Sequence, residues 1–423
     1  MRPEISARAR VMPASPIRKL TPFADEAKRR GVHVHHLNIG QPYLETPAAL
    51  RERLTHLETK VFAYTPSGGT QEFLSAMQDY YRDLGLPLEL TDLIATTGGS
   101  EALLFSFLAC AGEGDDILVV EPFYTNYSSF AAMTGVRLVP LTSRAEDGFH
   151  LPRREPWLRA LTPRTRAVIL CNPSNPTGTV YDRDELERVG QFCREHGLFL
   201  IVDEVYREFV YDGRQATSAL SLAGLEDLVV VVDSLSKRYS ACGIRLGCLV
   251  TRNRDIHNAC LRMAQGRLSP PGLAQMAAAG IRALGPDYLQ GVVAGYQRRR
   301  DLLYDALRAV PGVFLRRPEG AFYFVVRLPI LDGDDFARWM LTDFQQDGAT
   351  VMVAPAAGFY ATAGVGHDEV RVAYVLNEED LRTAASLLAA GLTAYTQARG
   401  LTVPAGPVPA PDDEQDFNLP AES

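Results

Sequence analysis

The chain has 423 residues and a formal net charge of −8, from 43 lysines and arginines against 51 aspartates and glutamates. That balance argues against a nucleic-acid binder working through a basic surface. No apolar run approaches the ~18 residues of a membrane-spanning helix. Only four of the basic residues are lysines (Lys19, Lys28, Lys60 and Lys237), and Lys237 stands alone after residue 60. Codon bias toward arginine explains most of this, yet it singles out Lys237, because arginine cannot act as a deprotonated amine.

Residues 1–45 read as an N-terminal arm that packs with a small C-terminal domain. Met1–Leu20 is rich in Arg and Pro and lacks the apolar centre of a secretory signal. His33, His35 and His36 have no acidic or cysteine partner at ligand spacing, so no metal is expected. Residues 46–290 read as a large domain. Its short β-branched runs, Ile117–Val120, Ala167–Leu170, Leu198–Val202, Leu228–Val232 and Cys248–Val250, are apolar at nearly every position. Strands buried on both faces of a parallel sheet look like this. Amphipathic segments such as Asp184–His196 alternate with them, which gives repeated βα units and an α/β sheet with helices on both faces. An apolar helix, Ala102–Ala111, follows Thr96-Thr97-Gly98-Gly99-Ser100-Glu101, with Ser100 as its N-cap.

Residues 291–399 read as a smaller α+β domain. The pattern predicts a helix at Gln297–Arg308, a strand at 320–326, a helix near 335–347, a strand at Val370–Val375 and a last helix at Glu379–Arg399. The tail at 400–423, with Pro404, Pro407, Pro409 and Pro411, is expected to be disordered. Six cysteines form no C-x-x-C pair and fit buried free thiols in a cytoplasmic protein.

Ligands of an open parallel α/β sheet bind outside the carboxyl ends of its strands. The residues after each run therefore matter most. They are Glu121-Pro122-Phe123-Tyr124, Cys171-Asn172-Pro173-Ser174-Asn175-Pro176-Thr177-Gly178, Asp203-Glu204-Val205-Tyr206 and Asp233-Ser234-Leu235-Ser236-Lys237. Thr97-Gly98-Gly99-Ser100 adds a helix N-terminus suited to an anion. Hydroxyls at 234 and 236 and the guanidinium of Arg245 suit a phosphate. The Lys237 amine suits a Schiff base. Together with Asp203 and Asn175 these parts describe a site for pyridoxal 5′-phosphate.

The Asn-Pro-x-Asn-Pro-Thr-Gly segment, Asp-Glu-Val-Tyr, and Ser-x-Ser-Lys followed by Gly243-Ile244-Arg245-Leu246-Gly247 make the resemblance specific. From about Pro16 to Leu392 the chain resembles the fold-type I, class I/II aminotransferases of the aspartate aminotransferase-like group. The resemblance implies a mostly parallel large-domain sheet plus a smaller α+β domain. It also implies transfer of an amino group between an L-amino acid and a 2-oxo acid, of aspartate/glutamate type or broad specificity.

Lys237 would bind the cofactor and shuttle protons. Asp203 would pair with the ring nitrogen, Tyr206 and Asn175 with the ring hydroxyl, and Tyr124 would stack on the ring. Gly99, Ser100, Ser234, Ser236 and Arg245 would hold the phosphate, joined by Tyr64 of a neighbouring subunit in a homodimer. Arg371, backed by Gly40 and Asn175, would take the substrate α-carboxylate. Ser100 stands where one aspartate-using branch has a lysine for the distal carboxylate. Arg267 and Arg18 are candidate replacements, and Tyr43 stands where relatives more often carry an acid. A lyase, cyclase or oxidase on the same scaffold is the alternative, because motifs do not encode the later steps.

Overall fold

The computed structural model describes residues 3–55, 57, 59–406 and 408. Of the tail expected to be disordered, residues 407 and 409–423 lie outside the described residues. The strands are β1 (His33–His36), β2 (Leu93–Thr96), β3 (Asp116–Glu121), β4 (Arg137–Thr142), β5 (Thr165–Cys171), β6 (Phe199–Asp203), β7 (Val229–Ser234), β8 (Gly247–Val250), β9 (Phe314–Leu315), β10 (Tyr323–Arg327), β11 (Ala349–Met352), β12 (Ala354–Pro355) and β13 (Glu369–Ala373).

Seven of them form one sheet in the order β2-β8-β7-β6-β5-β3-β4. The pairs among β4, β3, β5, β6 and β7 are parallel, and β8 alone runs antiparallel to its neighbours β2 and β7. A parallel return needs a crossover that packs on the sheet. The segment between β7 and β8 holds only the short helix Leu235–Arg238 and a single 3₁₀ turn, so the chain comes straight back.

Side chains alternate across this sheet with the strand period of two. Leu118, Val168, Leu200 and Val231 face one apolar layer, while Val119, Ile169, Ile201 and Val232 face the other. Helix Arg183–His196 covers the first layer through Leu186 and Phe192, and helix Gly98–Cys110 covers the second through Leu103 and Phe107. The four valines of β7 are all buried, each contributing ~1.5–3 kcal/mol of transfer free energy. Every apolar run expected as a strand is one. Two strands had no clear run. β2 is four residues long, and β4 is an edge strand that tolerates Pro140.

A four-stranded antiparallel sheet, β12-β13-β10-β9, and the parallel pair β1–β11 form the rest. Phe322, Phe324, Val326, Val370 and Val372 share a core with Phe336, Met340 and Leu388 of the neighbouring helices. Helices Pro286–Arg308 and Glu378–Arg399 pack together, and helix Thr21–Arg29 of the arm packs on Gly333–Thr342. Pro286–Arg308 is continuous through residue 290, where the two domains were expected to meet. The strand expected at 320–326 starts only at Tyr323. Ala321 has φ of 54°, and a Cβ on Gly320 would sit 2.6 Å from Phe209 O, so the chain turns there before extending. The helix expected near 335–347 spans Gly333–Thr342, with Asp332 accepting from the Asp334 and Asp335 amides as its N-cap.

Helix Gly98–Cys110 also begins earlier than expected. Thr97, not Ser100, is its N-cap, because Gly98 at φ 72° makes the turn out of β2 and leaves Ser100 inside the first turn. Gly247 lets β8 approach that turn. A Cβ there would fall 2.5 Å from Asp233 O and 3.0 Å from Gly99 N. Gly247→Ala is therefore expected to destabilise the fold by ~1–3 kcal/mol, as overpacking does. A denaturation midpoint equal to the parent's would show that the approach is looser than this.

Candidate functional site

Strands β3, β5, β6 and β7 run parallel, so their carboxyl ends share one rim, which β2 also reaches and where antiparallel β8 begins. β6 delivers Asp203, which is buried. Its Oδ2 accepts from Tyr127 Oη at 3.1 Å, and its Oδ1 is 3.4 Å from the Val205 amide. No cation pairs with it among the described residues. Burial therefore pushes its carboxyl up from the usual 3.8 to about 7.

The turn after β7 delivers Lys237. Its Nζ donates to Gly40 O at 2.7 Å, lies 3.8 Å from Cys242 Sγ and sits over the Phe322 ring at 5.9 Å. Upstream in that turn, Ser234 Oγ donates to Ser236 Oγ at 2.9 Å and accepts from the Ser236 amide at 3.2 Å. The start of helix Gly98–Cys110 lies beside it, and a Cβ on Gly99 would fall 3.6 Å from Ser234 Cβ. A Cβ on Gly98 would fall 2.5 Å from Arg245 Nη2, so an exposed guanidinium overhangs the free amides of the first helical turn. Arg245 itself has φ of 55° and donates to Cys242 O at 2.9 Å.

The loop after β5 delivers Asn175, and β13 delivers Arg371; both are buried. Arg371 Nη1 donates to Asn175 Oδ1 at 3.0 Å and Nη2 to Asn38 O at 2.7 Å. Its Nε has no hydrogen-bond partner among the described residues. The guanidinium lies over the Tyr323 ring at 4.4 Å and the Phe359 ring at 4.9 Å. Burial without a carboxylate holds it below the ordinary arginine range. An uncompensated buried cation costs several kcal/mol, which the two rings and two acceptors offset in part.

Tyr206 Oη and Tyr323 Oη share a 2.8 Å hydrogen bond, and a Cβ on Gly40 would overlap Tyr323 Oη. Tyr124 Oη accepts from Asn126 Nδ2 at 2.8 Å, and its ring meets Tyr127 edge-on. Glu121, the buried last residue of β3, accepts from the Ala361 amide at 2.7 Å and the Thr362 amide at 3.1 Å. It thereby holds the loop that carries Phe359 above Arg371.

The structure thus gathers Gly40, Asn175, Asp203, Tyr206, Lys237 and Arg371, and sets Gly99, Ser100, Ser234, Ser236 and Arg245 around one helix start. Tyr124 joins them through Tyr127. Tyr64 is not gathered; it is 81% exposed. Arg267 is tied to Glu101 Oε1 at 3.1 Å and to Ala95 O at 3.0 Å, so its charge is already met. Arg18 is exposed on a 3₁₀ turn, and Tyr43 is exposed as well. Sequence reasoning missed Asn38, Tyr127, Tyr323 and Phe359. The one available signal was Tyr127, three residues from Tyr124 at helical spacing.

Comparison with known proteins decides the family. Residues 32–388 match the model of aminotransferase class I and II. The chain belongs to the class I and II aminotransferases. It is similar to the aspartate/prephenate aminotransferase of Thermus thermophilus, at 31% identity covering 90% of this chain and 96% of that one. Among solved structures it is similar to a single mutant of the Thermus thermophilus aspartate aminotransferase (TM-score 0.83, 28% identity, 92% and 100% covered). It is equally similar to the alanine aminotransferase of Pyrococcus furiosus (TM-score 0.84, 28% identity, 92% and 100% covered). Membership of this family makes the chain a transferase of amino groups, with the fold-type I architecture the motifs implied.

Asp203 binds its proton more tightly in the folded chain than in the unfolded one. It costs nothing below pH ~3.8, where both states are protonated, and its cost grows as pH rises through about 7. In ligand-free protein, Asp203→Asn is therefore expected to raise the melting temperature at pH 8, with the gap closing toward pH 4. Identical melting curves at pH 8 would show that the carboxylate is compensated.

Proposed function

We propose that this aminotransferase binds pyridoxal 5′-phosphate through Lys237 and clamps the α-carboxylate of its amino-acid and 2-oxo-acid substrates on Arg371. The observation that carries the reading is the buried guanidinium of Arg371, which meets no carboxylate among the described residues and is packed in the same site as the Lys237 amine. Asn38 accepts from the one and Gly40, two residues on, from the other.

The residues present fit the cofactor. Asp203 is a buried carboxylate that no cation meets among the described residues, as suits a partner for a protonated ring nitrogen. The first turn of helix Gly98–Cys110, with Arg245 overhanging it and Ser234 beside it, fits a phosphate. Gly99, Ser100, Ser234, Ser236 and Arg245 would hold that group. Tyr206 and Asn175 would bond the ring hydroxyl, and Tyr124 would cover the ring. When bound, pyridoxal 5′-phosphate supplies an aldehyde carbon open to amines and a protonated ring that accepts the electrons released at the substrate α-carbon.

The chain's own residues do the rest. Asp203 keeps the ring nitrogen protonated, which lowers the cost of its own burial. Arg371, with Gly40 and Asn175, fixes the carboxylate and so orients the α-carbon. Lys237 Nζ, displaced by the incoming amine, is free to take the α-proton and return it. Cys242 Sγ, Gly40 O and the Phe322 ring limit where that amine can swing.

A homodimer with shared sites belongs to the same reading. Tyr64 would reach the partner's phosphate, and Val61, Phe62 and Tyr64 are all strongly exposed on the single chain. The division into an arm at 1–45, a large domain at 46–290 and a small domain at 291–399 is also our reading, as is a cytoplasmic location. Arg267 is neutralised by Glu101, so it offers no free charge to a distal carboxylate. The donor is accordingly left as an L-amino acid, of aspartate/glutamate type or broad range.

Protein loaded with pyridoxal 5′-phosphate should show a visible band that Lys237→Ala and Lys237→Arg both lose; an unchanged spectrum in either variant would sink the assignment. Arg371→Met is expected to weaken amino-donor binding by ~2–5 kcal/mol, as loss of a buried charge partner does. The half-reaction read at the visible band measures it, and unaltered donor dependence would contradict the clamp. Mixing Tyr64→Phe with Lys237→Ala chains should generate hybrids with one intact site and a recovered fraction of activity. No recovery would count against shared sites.

A further inference from the structure

Behind the Lys237 turn lies a second set of charges that the reaction does not use. Glu204, Arg207, Asp233 and Arg238 are all buried. Arg238 Nη2 donates to Asp233 Oδ1 at 2.6 Å. Asp233 Oδ2 accepts from Tyr81 Oη at 2.9 Å and faces Arg207 Nη1 at 3.4 Å. Arg207 Nε donates to Glu204 Oε2 at 2.7 Å, and Glu204 Oε1 accepts from Ser218 Oγ and the Ala219 amide. The order Glu204–Arg207–Asp233–Arg238 is thus an unbroken chain of alternating charges.

Its two ends have a telling placement. Glu204 directly follows Asp203, and Arg238 directly follows Lys237. Asp233 Oδ1 also accepts from the Ser234 amide at 2.7 Å, the first residue of the turn that carries Lys237. The chain therefore joins the end of β6 to the end of β7 by side chains, behind the residues that the proposed function uses. Stability alone is a poor reason for it. Among the described residues, Nε and Nη1 of Arg238 have no hydrogen-bond partner; Nη1 lies 3.7 Å from Glu208 Oε1, and the guanidinium rests over the Tyr80 ring at 4.0 Å. Buried ion pairs are often no more stabilising than apolar side chains of the same volume.

We propose that Glu204, Arg207, Asp233 and Arg238 form a buried positioning chain that fixes the Lys237 turn against the strand end bearing Asp203 and keeps the field at the Lys237 amine locally balanced. This rests on the reading of Lys237 as the cofactor-binding lysine. None of the four touches the reacting atoms in that reading, so they are positioning residues. Other groups facing the chain are Tyr80 and Tyr81 from helix Gln71–Asp83, Glu208 beyond β6, Tyr239 after the turn and Cys248 on β8. Those facing the amine itself are Cys242 Sγ, Gly40 O and the Phe322 ring.

The charges make opposite predictions at Lys237. Arg238 opposes a proton on the Lys237 nitrogen, and Asp233 favours one. In the loaded enzyme, the pH midpoint of the visible band should rise in Arg238→Met and fall in Asp233→Asn, each by roughly 0.5–1 pH unit. The double variant should fall between them, and Arg238→Lys should restore the parent midpoint. Cofactor affinity, measured by adding pyridoxal 5′-phosphate to stripped protein, should weaken severalfold in both single variants.

A purely structural cluster would lower the melting temperature while leaving every midpoint in place, and that result would overturn the proposal. Shifts of the same sign in both single variants would overturn it too. If Asp233→Asn does not fold, Arg238→Met against Arg238→Lys decides: a shift in the first that the second restores supports the chain, and no shift refutes it. A parent protein with no Lys237-dependent band would instead show that the reading of the site itself has failed.

Discussion

Asp203 and Arg371 are both buried, and neither meets an opposite charge among the described residues. In water each would be fully solvated; here each has only dipoles and rings around it. Folding places them at the end of one strand and within another, β6 and β13, in sheets that the chain builds separately. The expense of that arrangement is several kcal/mol for each charge. The rest of the site is arranged around holding those two charges in place: Tyr127 on the carboxylate, and Asn175, the Asn38 carbonyl, Tyr323 and Phe359 on the guanidinium. In the proposed reading, the cofactor's ring cation offsets the one cost and the substrate's carboxylate the other.

The charges behind the site follow the opposite rule. Glu204, Arg207, Asp233 and Arg238 alternate in sign and pair in sequence at 2.7, 3.4 and 2.6 Å, with Glu208 3.7 Å from Arg238 Nη1 at the outer end. Opposite charges paired at such range offset much of one another's field at a distance. An amine beside a balanced cluster keeps whatever proton affinity its own surroundings impose. An amine beside a lone buried guanidinium or carboxylate would not. Balance in one layer thus makes imbalance in the other usable.

The sequence made much of this legible, for identifiable reasons. β7 was plain because strands buried on both faces must be apolar throughout, and Val229–Val232 has no other use. Lys237 stood out because the chain otherwise spells its positive charges as arginine. Gly98-Gly99-Ser100 read as the lead-in to a helix capped by Ser100, whereas the helix already starts at Gly98 with its cap at Thr97, since positive φ at Gly98 leaves no mark in the residue pattern. Tyr323 was hidden because an aromatic in an apolar strand looks like core, and the contacts that make it part of the site come from Gly40, Tyr206 and Arg371, all distant in the chain. The partner of Arg267 was hidden for a related reason: pairing with Glu101 is a tertiary fact that charge type and position do not carry.

The enclosure of Arg371 also bears on what the pocket turns away. A guanidinium fixed by Asn175 and the Asn38 carbonyl, and sandwiched by Tyr323 and Phe359, cannot reach solvent to recover its hydration. In the proposed reading, where Arg371 takes the substrate carboxylate, an amine that has lost its carboxyl group would enter and leave that cation bare. Buried polar groups left unpaired in this way discriminate by ~10⁴–10⁵, whereas an apolar wall separates ligands differing by one methylene only ~10–200-fold. A decarboxylated analogue should therefore be refused far more sharply than a donor with a somewhat longer or shorter side chain.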